Sequence, residues 1–176
     1  FSINLFATPQ QDSITNFTPI QQKTIIKKIQ VCLFENEPKL YVLKGKDTLE
    51  LTAKNNQVFI HETKKTKRTE TLKISHSLLS ISKTKKLSSL YPGTLIISAK
   101  NGKLKVINDV DIEEYLRGVV PYEIGTLDEE RFEALKVQAV AARTYAYRHL
   151  GSRQALGFDV YADTRDQVYN GLSNAT

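Results

Sequence analysis

The sequence predicts an α+β protein, a β-rich N-terminal region joined to a hairpin and one long helix. Three observations carry this expectation. Residues 24–90 are dominated by short alternating runs rich in β-branched residues. Two further alternating runs, 94–99 and 103–108, flank Asn101-Gly102, the pair that suits a type I′ hairpin turn. Residues 126–149 form an alanine-rich stretch bounded by helix start and stop signals.

Residues 1–23 are polar, contain Pro9 and Pro19, and hold no sustained period; they read as an extended arm or linker. Strands then follow from Thr24. IIKKIQVCLF is rich in β-branched residues, and Lys39 to Leu43 alternates up to a turn at Lys44-Gly45-Lys46-Asp47. Two more strands meet at Lys54-Asn55-Asn56, where asparagine tolerates left-handed geometry. KKTKRTETLKIS reads as a charged hairpin or edge strand, because exposed lysines discourage edge-to-edge pairing. HSLLSISKTKKLSSL has no clear period, and Tyr91-Pro92-Gly93 is a turn. The expected organisation is an arm at 1–23, a β-rich region at 24–92 and a mixed region at 93–176.

A short helix opens at Asp111, whose carboxylate precedes Glu114 in a capping pattern, and Ile112, Tyr115 and Leu116 form its apolar face. Gly118 and Pro121 end it, leaving Glu123 in a loop. The long helix starts at a capping box, Thr126 with Glu129, and ends with Arg148 and His149 before Gly151. Phe132, Leu135, Ala139, Ala142 and Ala146 make one stripe for packing, and Gln138 and Tyr145 lie on a neighbouring one.

At 176 residues, 40% hydrophobic and 25% charged, the chain has the make-up of a globular domain able to bury a core. No window approaches the roughly 18 apolar residues of a membrane span. The single cysteine, Cys32 in VCLF, reads as a buried small hydrophobe. The chain holds no methionine, so it is read as a processed or trimmed form. The net charge of +6 points to an anionic partner or to a lysine-rich surface. The basic run Lys64, Lys65, Lys67, Arg68 lacks interleaved aromatics, which argues against nucleic acid.

Chemistry is concentrated late in the chain. Glu123 follows a Val-Val-Pro run; apolar walls raise a carboxyl's pKa and let it donate a proton near neutrality. A solvated loop glutamate is the competing reading. His149 reads as a complement to the helix dipole, and His61 and His76 as surface residues. Gln138, Arg143 and Tyr145 suit either sugar hydroxyls or a polar network inside the fold. GFDVYADTRDQVYNG combines Asp159, Asp163, Asp166 and Gln167 with Tyr161 and Tyr169, the mixture of carboxylates and flat rings that a sugar site uses. Asp-rich turns are also ordinary loop chemistry.

Three blocks, GKLKVINDVDIEEYLRGVVPYEI, EALKVQAVAARTYAY and GFDVYADTRDQVYNG, together resemble the SpoIID/LytB family of stage II sporulation protein D and the amidase enhancers. The resemblance covers residues 93–171 and implies a SpoIID-like core working outside the cytoplasm on peptidoglycan. It implies a lytic transglycosylase that cuts denuded glycan strands, with its one essential glutamate at Glu123. Gln138, Arg143, Tyr145, Asp159, Asp163, Gln167 and Tyr169 would bind substrate or support the site. The alternative is a non-catalytic wall binder that enhances an N-acetylmuramyl-L-alanine amidase. Some members bind zinc through one His and two Cys near the helix end; the 159–169 stretch has no cysteine, so no metal and no cofactor are expected. Family domains run on beyond a QVYNG-like block, which implies either a fragment whose catalytic region is incomplete at Thr176 or a short member of the family.

Overall fold

In the computed structural model of the chain, residues 27–44, 47–62, 65–76, 78–86, 89–125 and 132–172 are described. The arm expected at 1–23 and the capping box at Thr126 lie outside them. Among the described residues eleven strands form two sheets. β1 (Lys28–Glu37), β6 (Thr71–Ser75), β9 (Thr94–Lys100), β10 (Lys103–Asp111) and β11 (Val160–Tyr161) make the first, in the order β11-β1-β10-β9-β6. β2 (Lys39–Lys44), β3 (Asp47–Lys54), β4 (Gln57–His61), β5 (Thr66–Thr69), β7 (Leu79–Ser82) and β8 (Leu90–Tyr91) make the second, in the order β5-β4-β3-β2-β7-β8. All pairs are antiparallel except β1 with β11.

Alternation explains the packing. Leu40, Val42, Leu51, Val58 and Ile60 point from the second sheet into one core with Ile29, Val31, Leu95, Ile97, Leu104 and Val106 of the first. The opposite face of the first sheet buries Cys32 and Ile107 under Phe158. Cys32 is therefore the buried small hydrophobe expected, and burial pushes its thiol up to about 12. Asn101 and Gly102 both have positive φ, 53° and 73°, so the β9–β10 turn takes the mirror-image form that the strand twist favours. β5 and β6, from the lysine-rich stretch, are the outer strands of their sheets.

The α+β expectation is corrected. The protein is a two-sheet β structure with a helical minority: α1 (Ile112–Arg117) of six residues, α2 (Val120–Ile124) of five and α3 (Phe132–His149) of 18. The description as a β region plus hairpin and one long helix fails because the hairpin is not an appendage. β10 pairs with β1 and β9 with β6, so residues from both sides of position 92 share one sheet. Alternation reveals which face of a strand is apolar, but not which distant strand lies beside it.

The helices grow from the end of β10. Asp111 caps α1, accepting from the N–H groups of Glu113 and Glu114, and Ile112, Tyr115 and Leu116 are its buried face. α2 replaces the loop expected around Glu123: Pro121 opens this helix rather than closing the previous one, since a first-turn proline gives up only an N–H that had no partner. α3 buries Ala142 and Ala146, but Phe132, assigned to the same stripe, is 53% exposed. None of these helices is long and apolar enough to cross a membrane.

Candidate functional site

Glu123 lies on α2 and is exposed, so the described residues do not form the apolar enclosure expected around it. One of its oxygens is nonetheless fixed: the Val168 N–H donates to Oε1 at 2.7 Å. Oε2 has no hydrogen bond among the described residues. α2 also lines an apolar groove through Val120 and Pro121, with Leu116 of α1 and Phe132, Leu135 and Ala139 of α3.

Val168 belongs to an extended stretch, 166–169, in which every residue is tied to a different part of the fold. Asp166 accepts the Tyr145 hydroxyl at 2.6 Å and the Arg153 guanidinium at 3.0 Å through Oδ1, and the Tyr161 N–H at 2.8 Å through Oδ2. Gln167 is buried and accepts the Tyr115 hydroxyl at 3.2 Å. Tyr169 is buried; its hydroxyl donates to Asn108 at 2.9 Å, and Asn108 in turn donates to the Pro92 carbonyl. The Tyr169 ring lies 4.9 Å from that of Tyr115 and 5.7 Å from that of Tyr91. Gly118 makes this possible: a Cβ there would lie 2.5 Å from the Tyr169 ring.

Burial raises the phenol pKa values of Tyr115 and Tyr169, and burial together with the Asp166 hydrogen bond pushes Tyr145 up to about 12. These tyrosines therefore stay protonated and act as donors. They hold the fold around Glu123 and do not exchange protons near neutrality.

Glu123, Gln167, Tyr145 and Tyr169 thus meet through the 166–169 stretch. The other predicted site residues are engaged elsewhere. Asp159 receives the N–H groups of Gln30 and Gly151, tying β1 to the turn after α3. Asp163 pairs with Arg165 on the surface, and that hydrogen-bonded cation holds its carboxyl below the usual range. Arg143 makes a two-pronged bond to Glu113 of α1. Gln138 is half-buried on α3. Tyr115, Asn108 and Arg153 join the site without being candidates from the sequence. Tyr115 carried a signal as the one hydroxyl on an otherwise aliphatic helix face, whereas Asn108 and Arg153 acquire partners only through the tertiary fold.

A zinc ion does not fit the helix end and following loop. The Asp166 carboxylate is already engaged by Arg153, Tyr145 and the Tyr161 N–H. The His149 Nδ1 lies 2.8 Å from the Tyr145 carbonyl oxygen, and the His149 ring stacks on Tyr145 at 3.9 Å. Among the described residues no three His, Cys, Asp or Glu side chains converge on a metal-sized space.

Residues 100–176 match the family model described as SpoIID, stage II sporulation protein. An uncharacterised protein of Brachyspira hyodysenteriae (strain ATCC 49526 / WA1) is 46% identical over 82 residues, which are 46% of this chain and 22% of that protein. The chain thus spans only about a fifth of the length of this relative. No solved structure matches.

Proposed function

With residues 100–176 a member of the SpoIID family, and its function therefore sporulation- and cell-wall-related, we propose that this protein is a peptidoglycan lytic transglycosylase acting outside the cytoplasm on denuded glycan strands, with Glu123 as acid and then base. The observation that carries the reading is the asymmetry of the Glu123 carboxyl. The Val168 N–H occupies Oε1, and Oε2, which has no hydrogen bond among the described residues, is the oxygen that would handle the proton.

The reaction follows from that arrangement. The protonated Oε2 gives its proton to the glycosidic oxygen as the bond from C1 of the muramyl residue breaks. Positive charge develops on C1 and the ring oxygen. The Glu123 carboxylate then takes the proton of the muramyl C6 hydroxyl while that oxygen bonds to C1. A 1,6-anhydro ring forms and no water is consumed. In the carboxylate form, the Val168 N–H stabilises the negative charge left on Glu123. A glycan strand lying over α2 would itself exclude water from the exposed carboxyl. Gln167 and Tyr169 support the site from beneath, and Tyr145 acts through Asp166.

Denuded glycan strands incubated with wild-type protein are expected to yield anhydro-muramyl products by mass spectrometry. Glu123→Gln, which keeps the Val168 hydrogen bond but has no proton to give, is expected to abolish them. Equal product from both proteins removes Glu123 from the mechanism.

One observation favours a second reading, a non-catalytic enhancer of a wall amidase: Glu123 lacks the apolar walls that assist a general acid. That reading expects no anhydro products, stimulation of an amidase in a mixed assay, and no effect of Glu123→Gln on that stimulation.

A further inference from the structure

We propose that Asp166, with Arg153 as its counter-charge, is the positioning residue of the Glu123 site. This rests on the reading of Glu123 as the proton donor.

The Asp166 side chain is 1% exposed. A buried carboxylate is costly unless it is paired and fully hydrogen-bonded, and here three donors meet it. They come from three places: Tyr145 of α3, Arg153 of the turn after that helix, and the backbone of β11 at Tyr161. Asp166 therefore joins the helix, the turn and the sheet at one point. Its own N–H donates to the Asp163 carbonyl at 3.0 Å, closing the turn that enters the 166–169 stretch. Arg153 is held in place as well: its other nitrogen donates to the Asp159 carbonyl at 2.8 Å, and its guanidinium lies over the Tyr161 ring.

Two residues beyond this anchor is Val168, whose N–H selects the Glu123 oxygen that keeps the proton. Two residues span at most about 7 Å of chain, so a shift at Asp166 is passed to Val168 with little slack. The far side of Val168 is fixed by Tyr169, through its N–H to Ala162 and its hydroxyl to Asn108. Asp166 is the only charged member of this pair of clamps. Neutralising it leaves the Arg153 cation without its counter-charge next to the stretch that aims Glu123.

The test follows the Val168 amide directly. In wild-type protein its ¹H–¹⁵N resonance should shift with the ionisation of Glu123, and Glu123→Gln should abolish that shift. In folded Asp166→Ala the shift should be largely lost. The kcat for anhydro-product formation should fall about tenfold or more with KM little changed, as for a misaimed catalytic group. A Val168 resonance that titrates in Asp166→Ala as in wild type overturns the proposal, even if the melting temperature drops. Should Asp166→Ala fail to fold, Asp166→Asn keeps an acceptor for Tyr145 and Arg153 while removing the charge and the acceptor for the Tyr161 N–H. It should show a smaller loss of the same shift, and wild-type titration there also overturns the proposal. Absence of anhydro product from every protein, wild type included, removes the transglycosylase reading alone, because the Val168 resonance still decides the role of Asp166.

Discussion

The Tyr169 hydroxyl and the Asn108 side chain are both buried, so each depends on the other. Tyr169→Phe keeps the ring contacts and leaves Asn108 Oδ1 without its donor; it should lower unfolding free energy by about 1–3 kcal/mol in urea titration. Gly118→Ala should act by a different route. Gly118 has an ordinary φ of −95°, so the strain is purely steric: the new methyl meets the Tyr169 ring and the Gly171 carbonyl. A cost of about 1–3 kcal/mol is expected, together with a fall in activity as the 166–169 stretch is pushed away from α2. Residue types in GFDVYADTRDQVYNG revealed hydrogen-bonding capacity but not direction. Gln167 and Tyr169 turn inward, Asp163 outward, and Asp159 spends both carboxylate oxygens on backbone N–H groups. The role of Asp166 was hidden because Arg153 and Tyr145 reach it only after α3 has docked.

At the level of elements, α1 was legible because its start is local. The Asp111 carboxylate sits two and three residues from the amides it caps, and Asp111→Ala should cost about 1 kcal/mol. Glu113, two residues on, joins α1 to α3 through Arg143, whose hydrogen bonds hold the Glu113 carboxyl below the usual range. A depressed carboxyl pKa contributes stability above the unfolded value, and that contribution disappears as pH falls through the folded value. Arg143→Ala should therefore lower the urea midpoint at neutral pH and make little difference in acid. Both side chains are largely exposed, so the neutral-pH effect should be within about 1 kcal/mol. α2 was not legible. Its proline is equally at home ending one helix or opening the next, and the difference lies in backbone geometry around Gly118 that no side chain announces.

Across the whole molecule, strands were recognisable one by one, while their partners were not. β1 and β10 are separated in sequence by all six strands of the second sheet, yet they pair in the first. The tail is built into that sheet through β11 and roofs Cys32 with Phe158. Truncation after residue 157 should therefore remove cooperative unfolding by circular dichroism, and it should let a disulfide reagent reach Cys32, which in the intact protein reacts only on unfolding. The parallel pairing of β11 with β1 also imposes an order in time. Gln30 and Asp159 are bonded across 129 residues of sequence. Closing so long a loop costs chain entropy, and that cost falls once the intervening strands have formed. The segment carrying Val168 should dock last on refolding, so β11 joins the first sheet and Val168 reaches Glu123 in the same late step.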